Sequence, residues 1–101
     1  MRMMMIASMP VEFFNASVKD GSSGAKMKKI MDQIKPEAAY FTAMNGKRTA
    51  ILIVDLADPS KIPSLAEPWF QTYHASVDFY PVMVPQDLAA AGLDDIGKQW
   101  A

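Results

Sequence analysis

Ala38-Ala39-Tyr40-Phe41-Thr42-Ala43-Met44-Asn45-Gly46-Lys47-Arg48-Thr49-Ala50-Ile51-Leu52-Ile53-Val54 is the stretch on which the fold turns. Two apolar, β-prone runs flank Asn45-Gly46, a pair that tolerates the positive φ of a tight hairpin turn. Ala38 to Met44 therefore reads as one strand and Thr49 to Val54 as its antiparallel neighbour. Ile51, Leu52, Ile53 and Val54 are apolar at consecutive positions, so both faces of this strand are apolar and it reads as central.

Upstream, Met3 to Met9 is apolar on both alternating faces apart from Ser8, and is a second central strand. Pro10 stops it. Val11, Phe14 and Val18 recur at helical spacing and predict a short helix ending near Asp20-Gly21. Gly21-Ser22-Ser23-Gly24 is a break, where either serine can cap the next helix. In that helix Met27, Ile30, Met31 and Ile34 form an apolar stripe, while Lys26, Lys28 and Lys29 fall off it. Pro36 ends it.

Downstream, Ile62, Leu65, Ala66, Trp69 and Phe70 keep a helical stripe. Pro63 suits the first turn, and Pro68 predicts a kink or break. Ser76 to Val84 is a fourth strand. Pro81 inside it cannot donate to a ladder, so the strand belongs at an edge. Gln86 to Ala91 and Leu93 to Trp100 form a helical tail divided by Gly92. The order β-α-β-β-α-β, with first and third strands central, predicts one α+β domain over residues 1–101. Its sheet is ferredoxin-like in order 4-1-3-2, with the helices on one face. The other face then carries apolar side chains that two helices cannot cover, which predicts a homodimer.

Composition narrows the function classes. The chain has 101 residues, half of them hydrophobic, with 10 basic and 11 acidic side chains. A net charge of −1 gives no electrostatic reason to expect nucleic acid or an anionic membrane as partner. Without cysteine there is no disulfide, thiolate metal site or cysteine nucleophile. No run approaches the ~20 apolar residues of a membrane span. The apolar start is broken by Ser8 and Pro10 and meets Glu12, unlike a secretory signal. A cytoplasmic protein is the expectation.

Several residues are candidates for chemistry. Tyr40 and Thr42 share one face of the second strand, and Asp78 and Tyr80 share one face of the fourth; either pair could orient a small polar group or move a proton. Asp55 ends a central strand, where sites tend to open. His74 is the only histidine. No His-x-His or His-Glu-x-x-His spacing supports a metal, and neither metal nor cofactor is expected. Ser22, Ser23 and Lys26 lie where a glycine-bearing loop enters a helix, which can hold an anion, although the Gly-Lys-Ser/Thr ending of a nucleotide loop is missing.

The chain resembles the dimeric α/β-barrel superfamily, which includes muconolactone-isomerase-like proteins and small antibiotic-biosynthesis-type monooxygenases. More closely it resembles a set of short bacterial proteins without an assigned activity. The resemblance is carried by Lys35-Pro36-Glu37-Ala38-Ala39-Tyr40-Phe41, Asn45-Gly46-Lys47-Arg48-Thr49-Ala50, Asp55-Leu56-Ala57-Asp58-Pro59-Ser60, Ile62-Pro63, Ala66-Glu67-Pro68 and Phe79-Tyr80-Pro81-Val82-Met83. Some similar sequences bear a pantothenate-synthetase label. This chain is too short for that nucleotide-binding fold and, with one histidine, lacks its paired-histidine motif. Two functions follow as expectations. The first is a non-catalytic dimeric domain that binds a small ligand or serves as an accessory protein. The alternative is a cofactor-free monooxygenase- or isomerase-like enzyme acting on an apolar small molecule.

Overall fold

The computed structural model describes residues 1–101. Strand β1 (Arg2–Met9) leads through Pro10 into helix α1 (Val11–Lys19), then helix α2 (Ser23–Ile34). Strands β2 (Ala38–Met44) and β3 (Lys47–Asp55) form the hairpin. Asn45 and Gly46 take φ 54° and 75°, the left-handed pair that a two-residue turn demands. A 3-10 turn (Pro59–Lys61) opens helix α3 (Ile62–Tyr73), and strand β4 (Ser76–Pro81) follows. Helices α4 (Pro85–Ala90) and α5 (Leu93–Gln99) make the tail, with Gly92 between them at φ 71°.

All strand pairs are antiparallel, and the hydrogen-bonded order is β2-β3-β1-β4. The two strands that read as apolar on both faces are the inner pair, and the proline-bearing strand is an edge. This α+β arrangement is consistent with a ferredoxin-like fold. The ladder ends at Pro81, three residues short of the Val84 read from the sequence. Only one further bond, from the Val82 N–H to the Arg2 carbonyl at 3.3 Å, prolongs the pairing.

Period two sorts the side chains. Met3, Met5, Ala7 and Met9 of β1 and Ala50, Leu52 and Val54 of β3 point to one face and are buried. They pack with Phe14 of α1, Ile30 of α2, and Trp69 and Tyr73 of α3. Met27, Met31 and Ile34 are partly buried against this core, while Lys28 and Lys29 are exposed, as the helical stripe requires. Phe14 stacks on Tyr73 with ring centroids 4.7 Å apart. Burial pushes the Tyr73 phenol above its ordinary pKa.

Two local expectations change. Helix α3 runs unbroken through Pro68. The ring removes one N–H in the direction of Ser64, an exposed residue whose carbonyl water can satisfy. Packing of Ala66, Trp69 and Tyr73 holds the helix on either side. Nor does a serine cap α2. Ser22 has right-handed helical backbone (φ −88°, ψ −11°) rather than the extended conformation of a side-chain cap. Its N–H instead closes the α1–α2 loop on the Ser17 carbonyl at 2.9 Å and the Asp20 carboxylate at 2.8 Å.

The tail stands away from the body. The molecule spans 59 × 28 × 19 Å with a radius of gyration of 17.0 Å, against about 13 Å for a compact chain of this length. Met83, Leu88, Leu93 and Ile96 are exposed, and Trp100 is 84% exposed. No helix is long and apolar enough to cross a membrane.

Candidate functional site

The strand registers place Tyr40, Thr42, Asp78 and Tyr80 on the face without helices, with Asp55 at its rim. One rung across the sheet reads Tyr40, Ile51, Ile6, Asp78; the next reads Ala38, Ile53, Met4, Tyr80. A third reads Thr42, Thr49, Ser8, Ser76. The centre of this face is thus a four-residue apolar patch of Met4, Ile6, Ile51 and Ile53, all partly exposed. Tyr40, 64% exposed, borders it on one edge; Tyr80, 48% exposed, and Asp78 border it on the other. The edges are three strand spacings apart, about 14 Å. The polar groups therefore flank an apolar floor and do not converge on one point.

Asp55 lies at the end of β3 at the rim of this face. Its Oδ1 accepts a hydrogen bond from the Met1 ammonium at 3.0 Å, and the same ammonium donates to the Leu56 carbonyl at 2.9 Å. Beside it Arg2 donates from Nε and Nη2 to the two oxygens of Glu37, each at 2.8 Å. This fork raises the Arg2 pKa and holds the Glu37 carboxyl below its ordinary range. Arg2, Glu37, Val54 and Asp55 line a cavity of about 280 Å³ whose charges are already paired.

His74 is elsewhere. It ends α3 in the left-handed conformation at φ 53°, its N–H bonded to the Phe70 carbonyl, and its ring stacks on Phe13 at 3.8 Å. It approaches none of Tyr40, Asp78 or Tyr80, because the connection it occupies lies on the helix side. In the α1–α2 loop, Ser22, whose N–H donates to Asp20 Oδ1 at 2.8 Å, holds the Asp20 carboxyl below its ordinary range. A carboxylate of the chain thus occupies the neighbourhood of Ser22, Ser23 and Lys26. No three metal-ligating side chains stand together.

The helix side holds a feature that motif reading passed over. Arg48 is in phase with Ala50, Leu52 and Val54, so it points toward the core side at the end of β3. Its guanidinium lies 4.8 Å over the Phe14 ring. Nη1 donates to Asn15 Oδ1 at 2.9 Å and to the Val11 carbonyl at 3.5 Å. With Met9, Phe14, Met27, Phe41 and Ala43, and with Thr42 and Thr49 at its strand-edge end, it lines a mostly apolar cleft of about 380 Å³ between β2 and the first two helices. The signal was present in the sequence: a charged residue at an inward position of a strand.

No family model matches the sequence, and no curated protein is significantly similar to it.

Proposed function

We propose that the chain works as a homodimer of the dimeric α/β-barrel kind, closed by its open sheet faces, and that the domain binds a small apolar molecule without chemically changing it. In this reading the sheet is the ferredoxin-like 4-1-3-2 arrangement of that superfamily. The observation that carries it is a double exposure: the apolar patch on the sheet and the apolar side of the tail both lack a partner within the chain.

A second copy answers both needs. Four strands about 4.8 Å apart and six residues at about 3.4 Å give a sheet face of roughly 400 Å². A stable interface buries about 800 Å² per partner, so the face supplies about half. The tail from Val82 to Ala101, carrying Met83, Leu88, Leu93, Ile96 and Trp100, supplies the remainder by lying across the other subunit. Two facing sheets bring Tyr40, Tyr80 and Asp78 of each copy around a shared apolar space, where they orient a ligand's polar group. The separation of these groups favours binding over acid–base chemistry, which needs donor and acceptor within reach of one atom. The enzyme reading would require a convergent pair on this face.

Sedimentation equilibrium with Ile51→Lys tests the reading. Dimeric wild type and a folded, monomeric variant are the expected pair; a variant as dimeric as wild type would place the interface elsewhere.

A further inference from the structure

The chain has two arginines, and they are treated differently. Arg2 spends its Nε/Nη2 fork on Glu37. Arg48 makes no ion pair, and only its Nη1 donates to the protein, to neutral oxygens. The equivalent Nε/Nη2 fork is unclaimed. A partly buried guanidinium without a carboxylate loses hydration without full compensation. Stacking on Phe14 and the Asn15 bond hold it in place.

The walls beside it are apolar. Met9 and Phe14 are buried, Met27 is half-buried, and Phe41 on the edge strand is 56% exposed. Helices α1 and α2 do not extend over β2, so the cleft is open to a small molecule along Phe41 and Ala43. Its volume of about 380 Å³ falls in the range of small-ligand sites. The geometry points to this cleft as a binding site for a small apolar or aromatic carboxylate, with Arg48 as the anion's partner and Met9, Met27 and Phe41 enclosing its body. One planar fork matches one carboxylate. A phosphate dianion would call for further cations, and the walls offer none. Arg48, Met9, Met27 and Phe41 lie on the face opposite the proposed dimer surface, and only Thr42 and Thr49 at the end of the cleft belong to the open face.

The test uses the full chain and two probes of one shape, 2-naphthoate and 2-naphthalenemethanol, followed by calorimetry and by methionine-methyl NMR. Naphthoate is expected to bind about tenfold or more tightly than the alcohol. It should shift the Arg48 Nε–Hε signal and the methyls of Met9 and Met27, but not that of Met4 on the other face. Arg48→Met should abolish the preference for the anion, and Arg48→Lys should keep part of it. Equal affinity for both probes, an unchanged preference in Arg48→Met, or shifts at Met4 in place of Met9 and Met27 would each overturn the assignment. Should Arg48→Met fail to fold, the wild-type shifts decide alone.

Discussion

Neighbouring residues on β1 meet opposite surroundings. Met3, Met5, Ala7 and Met9 are at most 5% exposed under the helices, whereas Met4 and Ile6 between them remain partly open. On β3, Leu52 and Val54 are buried while Ile51 and Ile53 are not. The side chains are of one kind, and the difference comes from what packs above them. Three helices fill one face around Trp69 and Tyr73, leaving nothing for the other. The covered face makes the fold; the open one leaves Met4, Ile6, Ile51 and Ile53 partly exposed at its centre.

The contrast predicts different consequences for the two faces. On the covered face, Trp69→Ala should cost about 3–5 kcal/mol in urea unfolding, because a fully buried ring leaves a cavity. Trp69→Phe should cost far less, since the indole Nε1 has no protein acceptor to lose. Comparable losses in the two variants would mean the ring's polar edge matters more than its volume.

On the open face, Ile51→Lys should weaken self-association about a hundredfold or more, each interface losing two buried isoleucines at roughly 1.5–3 kcal/mol apiece. Stability of the isolated subunit should change by no more than about 0.5 kcal/mol. An equally large loss of subunit stability would erase the distinction between the faces. Trp100→Ala should weaken the dimer about tenfold while leaving the subunit's unfolding midpoint unmoved, because Trp100 is so exposed within its own chain. Analytical ultracentrifugation across a dilution series measures both.

The smallest effect concerns the rim. Glu37 has a folded pKa below its unfolded value near 4.3, chiefly through its hydrogen bond from Arg2. Its contribution to stability is therefore complete above that value and is lost as pH falls through the folded pKa. The gap in urea midpoint between wild type and Glu37→Gln should be present at pH 7 and narrow as pH falls below the ordinary carboxylate range. A gap that does not narrow on acidification would contradict the pairing.

How far the fold was legible follows from the same alternation. Doubly apolar strands announced the inner pair, Asn45-Gly46 the hairpin, and Pro81 the edge, because each is a backbone or period-two constraint visible locally. The continuity of α3 through Pro68 was hidden, since it depends on tertiary packing of Trp69 and Tyr73. So was the pairing of Arg2 with Glu37, 35 residues apart in sequence, which meet only once β3 seats β1 and the start of β2 on its two sides. Of the site residues, strand phase implied only that Asp78 goes with Tyr80 and Tyr40 with Thr42; that all four share one face, and how far apart they lie across it, is set by register and strand order. His74 and Asp55 were singled out by residue type and position, and their partners, Phe13 and the Met1 ammonium, come from the fold. Arg48 could have been found by phase, as a cation in register with Leu52 and Val54.

Light scattering on the intact chain at micromolar concentration tests the central claim most directly. A mass of twice 11.1 kDa is expected, from a dimer closed over the open faces. A mass of 11.1 kDa, with the open face still accessible to solvent, would contradict it.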